Sequence, residues 1–256
     1  LSNRPMDRII DPLNKMGACI ESNKNKLPIV ISGKKLKNIR YELNIASAQV
    51  KSGISLAALF INGQTEIIEK HTTRNHTEIM LKSFDANIKI KNINQNNHII
   101  INGNKELKPS NINIPNDLSS AAFFIVAALI NNNSQIEIKN INLNPTRNGF
   151  LNVIDKMGGQ IIINNKKEIN GEIVGDIYVK HSKLRGCELD KGVAKSMIDE
   201  FPILSIAASF AKTPSIFRGL EELKIKESDR LELMRRNLKN CGIYCEINNN
   251  DLFIDP

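Results

Sequence analysis

Four arginines, Arg4, Arg74, Arg147 and Arg230, each stand in a short polar stretch just ahead of an amphipathic segment. A guanidinium grips a planar carboxylate or a phosphate through two parallel hydrogen bonds. Arginines recurring at matching places therefore point to a site for a multiply anionic ligand. The alternative is pairing with structural acids such as Asp117 or Glu200. A second polar set, Ser47 with Gln49, Ser119 with Ser120, and Asp199, lies at the entry to three apolar, Ala-rich segments. A helix start offers free N–H groups and the positive end of the dipole, which suits phosphate or carboxylate. Plain N-capping by Ser or Asp is the competing explanation. The densest charge cluster runs from Lys224 through Lys226, Glu227 and Asp229 to Arg230. It fits an exposed helix start with a cap, or a general acid whose pKa its neighbours set.

Metal and disulfide chemistry find little support. Cys241 and Cys245 are spaced C-x3-C with no second Cys or His pair at zinc-finger spacing, and Cys19 and Cys187 stand apart. Reduced thiols of a cytosolic protein are expected. His71, His76, His98 and His181 do not cluster at metal-ligand spacing either.

The elements that must carry these residues repeat along the chain. Ser47 to Leu59, Ser119 to Leu129 and Asp199 to Ala208 each read as a helix buried on most sides. A β-rich piece follows each: Gln64 to Ile68, Ser134 to Ile138, and Ser215 to Arg218. Then come the arginine loop, a second, amphipathic helix, and a closing phrase leading into a strand. Those phrases are Phe84 to Ile88, Met157 to Ile161, and Cys241 to Ile243, with glycines suited to the left-handed position that ends a helix. Arg4 and Pro5 open the back half of another such unit, with Pro5 in the first helical turn, and Lys15 to Ile20 closes it. The pattern amounts to three units of roughly 70 to 80 residues plus a half unit, too long a period for a solenoid. Asn-rich stretches such as Asn131 to Asn133 and Asn164 to Asn165 read as turns between elements. A break is expected at Ile114 to Asp117, giving domains 1–115 and 116–256.

Composition narrows the field. With 256 residues, 41% hydrophobic and 24% charged, the chain reads as soluble, globular and large enough for two domains. No apolar run reaches the roughly 18 residues of a membrane span. The net charge of +8 admits nucleic acid as a partner. Yet aromatics make up only 5%, Trp is absent and the lysines are scattered, so stacking platforms are lacking. The chain starts at Leu1 with no basic-then-apolar leader and is expected to begin inside a longer protein.

An ordered set of motifs carries a resemblance. Ser2-Asn3-Arg4-Pro5-Met6, Ala46 to Ser52 (ASAQVKS), Thr73 to Glu78 (TRNHTE) and Asp117 to Phe123 (DLSSAAF) come first. Asn144-Pro145-Thr146-Arg147, Ile198-Asp199-Glu200-Phe201-Pro202 and Lys226 to Arg230 (KESDR) follow. Together they closely resemble the 5-enolpyruvylshikimate-3-phosphate synthase family, in its bacterial class of low glyphosate sensitivity. The resemblance implies an α/β enolpyruvyl transferase fold: two domains of repeated βαβαββ units, an inside-out α/β barrel, here incomplete at both ends. It implies a cytoplasmic, monomeric enzyme without metal or organic cofactor, whose partners are the small molecules 3-phosphoshikimate and phosphoenolpyruvate, bound between closing domains. Carried over by motif, Ser47, Ala48, Gln49 and Lys226 would hold 3-phosphoshikimate, with Gln49 also reaching the phosphoenolpyruvate side. Arg74 would lie against the shikimate ring or its carboxylate, and Arg4 and Arg230 would bind phosphoenolpyruvate. Asp199 would accept the hydroxyl proton, and Glu227 would move the proton at the methylene carbon. Arg147 takes no ligand role and is expected to pair with structural acids.

Departures from the family pattern are specific. Its N-terminal Lys-Ser plus Arg motif, its glycine-rich loop and its later Asp-His-Arg motif are absent from these 256 residues. Asn75 stands where Asp is usual, Asn116 where Gly is usual, and Lys224 where Arg is usual. Asn116 would stiffen or strain a domain hinge. The alternatives are an inactive fragment or relic of this enzyme, a nucleotide-sugar enolpyruvyl transferase, and a basic nucleic-acid module. The second of these needs a catalytic Cys loop that is not found. By itself the 256-residue piece is expected to release no phosphate from the two substrates.

Overall fold

A computed structural model of the chain describes residues 4–256. Ser2 and Asn3, which open the first motif, lie outside them. The chain divides into two compact units, residues 1–112 and 113–256, against the 115/116 boundary expected.

The first unit opens with α1 (Asp7–Lys15) and an antiparallel hairpin of β1 (Cys19–Asn23) and β2 (Lys26–Ser32). Then follow β3 (Arg40–Glu42), α2 (Ala48–Ala58), β4 (Gln64–Glu69), α3 (His76–Ser83), β5 (Ile88–Ile93) and β6 (Asn96–Asn102). The sheet order is β3-β4-β6-β5, with β3 parallel to β4 and the other pairs antiparallel. Both faces of β4 and β6 are partly covered, and Ile67, Ile99 and Ile101 share a core with Val50, Ile54 and Ala58 of α2. Pro5 precedes α1 and does not sit in its first turn: Met6 takes the N-cap position.

In the second unit the same topology occurs twice. Asn116 bridges Ile141 in parallel, and α4 (Leu118–Ile130), β7 (Gln135–Asn142), α5 (Gly149–Lys156), β8 (Gln160–Ile169) and β9 (Glu172–Lys180) follow, in sheet order β7-β9-β8. Next come β10 (Glu188–Leu189), α6 (Lys191–Ala194), α7 (Phe201–Ser209), β11 (Ser215–Phe217), α8 (Glu221–Lys224), α9 (Arg230–Asn240), β12 (Tyr244–Asn248) and β13 (Asp251–Asp255). Their order is β10-β11-β13-β12, with β10 parallel to β11. The chain therefore holds three βαβαββ repeats, preceded by the αββ tail of another. The short parallel element that begins each repeat, one to three residues long, left no periodic signal in the sequence.

Several local expectations need correction. The three apolar helices are largely buried, as expected, but each leaves a strip open. Leu56 of α2, Phe123 and Phe124 of α4, and Ile206 of α7 remain exposed, although α4 packs against α7 and α2 against α1 as well as against their sheets. Asp117, not Ser119 or Ser120, caps α4 by accepting from the Ser120 N–H at 3.0 Å. Asp199 does not cap α7, where Glu200 is the N-cap residue and makes no side-chain cap bond. Asn164 and Asn165 lie inside β8 at a register shift and not in a turn. Asn116 has no positive φ, so its backbone is unstrained where glycine was expected. Among the described residues no helix is long and apolar enough to cross a membrane.

Candidate functional site

The second unit brings three of the predicted site residues together. Asp229 caps α9 by accepting from the Glu232 N–H at 3.0 Å, which fixes Arg230 as the first helical residue. From there Arg230 Nη1 reaches Asp199 Oδ1 at 3.4 Å and Nη2 reaches Glu227 Oε2 at 2.7 Å. One guanidinium so holds both candidate proton-transfer carboxylates, each by a separate nitrogen. All three are partly open to solvent, with side-chain exposures of 35%, 30% and 47% for Asp199, Arg230 and Glu227. Lys226 is half-buried in the same loop. Two carboxylates at the ends of a cation can remove and deliver protons on an anionic substrate that the cation attracts.

Behind Asp199 lies a second, buried network. Glu200 is 2% exposed. Its carboxylate accepts from the Ser119 hydroxyl, which in turn accepts from Arg147 Nη2. Arg147 also lies 3.3 Å from Asp117 and 4.0 Å from Glu200, so it pairs with the two acids named for it. Burial raises the Glu200 carboxyl above its ordinary range, against the Ser119 bond and the Arg147 charge, and Asp199 adds to the rise. Burial also opposes the charge of Asp117, but the Ser120 bonds and Arg147 hold its carboxyl below the usual value. The network joins the entries of α4, α5 and α7.

In the first unit, Ser47 adopts extended backbone and its Oγ accepts from the Val50 N–H at 3.4 Å, starting α2. Ser47 and Ala48 are half-buried and Gln49 is exposed in the first turn. Arg74 is half-buried two residues before α3 and makes no hydrogen bond or ion pair among the described residues. Arg4 stands three residues before α1. Of the four arginines only Arg230 begins its helix outright. The residues that sequence reasoning missed here are Lys51, Glu69 and Glu78, a buried ionic cluster under the Arg74 loop. Its only signal was a lysine on the apolar face of α2, four residues before the buried Ser55.

A surface groove of about 540 Å³ between α9 and β12, formed by Lys224, Asp229, Glu232, Arg235, Lys239 and Glu246 among others, is not lined by Asp199, Glu227 or Arg230. Lys224, where arginine is usual, donates to the Asn249 carbonyl at 2.7 Å. Among the described residues no group of three His, Cys, Asp or Glu side chains is placed to hold a metal ion.

Comparison with known proteins follows the same lines as the geometry. The sequence profile of EPSP synthase (3-phosphoshikimate 1-carboxyvinyltransferase) matches residues 1–256. The 3-phosphoshikimate 1-carboxyvinyltransferase of Sphingopyxis alaskensis is 47% identical over 262 residues, covering 100% of this chain and 59% of that protein. That of Clostridium tetani is 45% identical over 255 residues, covering 99% and 57%. Among solved structures, EPSP synthase from Acinetobacter baumannii superposes with a TM-score of 0.87 at 40% identity, over 100% of this chain and 57% of that one. The enolpyruvyl transferase NikO from Streptomyces tendae, at 15% identity and a TM-score of 0.72, shares the fold alone. The chain spans 57% and 59% of the lengths of those two curated relatives. With the profile matched throughout and the βαβαββ repeat in place, the chain belongs to the EPSP synthase family.

Proposed function

We propose that these residues serve the transfer of the enolpyruvyl group of phosphoenolpyruvate to the 5-hydroxyl of 3-phosphoshikimate, with release of phosphate. The observation that carries the reading is the single guanidinium of Arg230 between Asp199 and Glu227, at 3.4 and 2.7 Å. Addition across an enol ether needs a base at the attacking hydroxyl and an acid at the methylene carbon. In this reading Asp199 takes the hydroxyl proton as oxygen bonds to the central carbon. Glu227 delivers a proton to the methylene and then removes one from the resulting methyl as the C–O bond to phosphate breaks. The proton held by Asp199 passes to the departing phosphate oxygen, so that phosphate leaves as hydrogen phosphate and both carboxyl groups return to their starting states. Arg230 and Arg4 bind phosphoenolpyruvate, while Ser47, Ala48, Gln49, Arg74 and Lys226 hold 3-phosphoshikimate. Multiply charged anions need such cations to offset their mutual repulsion. Four free cysteines support a reducing setting, the cytoplasm.

The test uses the complete open reading frame that contains these residues, assayed for phosphate release from both substrates. Glu227→Gln and Asp199→Ala are expected to lower kcat by about 10² to 10⁴-fold, the usual contribution of a positioned acid or base, with unchanged thermal midpoints. Turnover within twofold of the parent in both variants would refute the assignment.

A further inference from the structure

Lys51 carries a charge yet is only 1% exposed. It lies in α2, two residues after Gln49, and its Nζ sits 3.1 Å from Glu69 Oε1 and 2.7 Å from Glu78 Oε1. Glu69 is the last residue of β4, and Glu78 lies in the first turn of α3. The two acids thus stand at either end of the loop that carries Arg74. Glu69 Oε1 also accepts from the Thr73 N–H at 2.8 Å and from the Thr73 hydroxyl. Its other oxygen accepts from Asn97 Nδ2 at 3.4 Å. Ser52 and Thr77 share a hydroxyl bond of 2.6 Å that ties α2 to α3 beside the cluster.

A buried ion pair is a weak source of stability, because desolvation offsets most of the attraction and apolar side chains of the same volume do as well. Glu78 Oε2 is buried with no hydrogen-bond partner among the described residues, a further cost. What such a cluster supplies, and an apolar one does not, is direction: an ammonium fixed between two carboxylates holds their elements in one register. Here the element held at both ends is the Arg74 loop, and the element that holds it is the helix whose first turn carries Ser47, Ala48 and Gln49.

We infer that Lys51, Glu69 and Glu78 form a positioning cluster that sets Arg74 against the first turn of α2, so that the two grip 3-phosphoshikimate in one geometry. The inference rests on the proposed reaction. Lys51 touches no substrate and acts through Thr73 and the loop.

The experiment again uses the complete open reading frame. Lys51→Met alone leaves two buried carboxylates without a cation, so the informative variant is Lys51→Met with Glu69→Gln and Glu78→Gln. It removes every charge at nearly constant volume and keeps an acceptor for Thr73. The KM for 3-phosphoshikimate is expected to rise roughly tenfold to a hundredfold, the range for a gripping group misplaced by a fraction of an ångström to one ångström. The KM for phosphoenolpyruvate and kcat should stay within about twofold. In an Arg74→Ala background the triple change should add nothing further, since the two act as one unit. An unchanged KM for 3-phosphoshikimate, or a full additional loss on top of Arg74→Ala, would overturn the inference. Should the triple variant fail to fold, Thr73→Val decides: it cuts one bond of the loop to Glu69, and the same KM split is expected, smaller, with no split counting against the cluster. A parent enzyme that makes no product would remove the proposed reaction itself. An active parent whose constants the triple change leaves alone would remove only the positioning role.

Discussion

Asp199 and Glu200 are neighbours in sequence and face opposite environments. Asp199 is partly solvated and shares Arg230 with Glu227. Glu200 is buried, with burial the leading reason its carboxyl titrates above the ordinary range. Environments that separate adjacent acids in this way assign them different roles. The pH dependence of stability follows from the direction of the Glu200 shift. A carboxyl whose folded pKa is raised binds its proton more tightly in the native state. Its contribution is most favourable below the unfolded value and is lost as pH rises through the folded one. Glu200→Gln removes that dependence. Urea midpoints measured from pH 4 to pH 8 should therefore show the variant gaining on the parent as pH rises, and a constant difference across that window would show the assignment to be wrong. At this scale the sequence marked Asp199, Glu227 and Arg230 as candidates, and the fold brings the three side chains together. It named Glu200 only as an acid for an arginine and was silent on Lys51, because a buried charge is recognised by what surrounds it, and the groups around Lys51, Glu69 and Glu78, come from distant segments.

At the scale of elements, each repeat ends its second helix in the same way with different residues. Gly158 and Gly242 have φ of 83° and 85° after α5 and α9, and Gly17 has 96° after α1. After α3 the equivalent place is taken by Asp85, with φ of 60°. Lys105 and Lys108 pair with its carboxylate, both at 2.8 Å, and their bonds lower its pKa to about 2. Left-handed backbone costs a residue with a Cβ about 1 kcal/mol. Gly158→Ala should thus destabilise by about 1 kcal/mol although nothing lies within 4 Å of the added carbon. Asp85→Gly should relieve backbone strain while losing only exposed pairs, which are worth little, and so remain near neutral. Denaturant melts of both variants check this; equal losses would show that packing, not φ, governs the turn. Asparagine supplies many other left-handed positions, among them Asn25, Asn94, Asn170 and Asn249 at hairpin turns. The repeat of apolar helix, strand, arginine loop and amphipathic helix was readable because its elements are long and periodic. The opening strands Arg40–Glu42 and Glu188–Leu189 and the Asn116 bridge were not, since partners from far along the chain define them.

Across the whole molecule, the same repeat is supported by very different cores. Residues 113–256 contain two full repeats, and their buried apolar side chains form one continuous cluster from Leu118 to Ile254. Residues 1–112 hold a single repeat and an αββ tail, with about a third as many buried apolar side chains. The smaller core must also accommodate Lys51, Glu69, Glu78 and His98, all below 9% exposure, and polar groups of this kind stabilise only as far as their partners compensate for lost water. The fraction of surface buried on folding rises with chain length, so the shorter unit loses on that account too. The two units should therefore differ in stability by far more than their lengths suggest. Expressed separately, 113–256 is expected to melt in one cooperative transition, and 1–112 to melt at least roughly 10 °C lower, the shift that about 2 kcal/mol produces in a domain near 100 residues. Native-state hydrogen exchange on the intact chain supplies the second measurement. Amides of β4 and β6 should exchange through openings of lower free energy than those of β7, β9 and β13, because the stability of local openings follows the core that each strand covers. Equal melting temperatures together with uniform protection would mean that the Lys51 cluster contributes stability as well as direction.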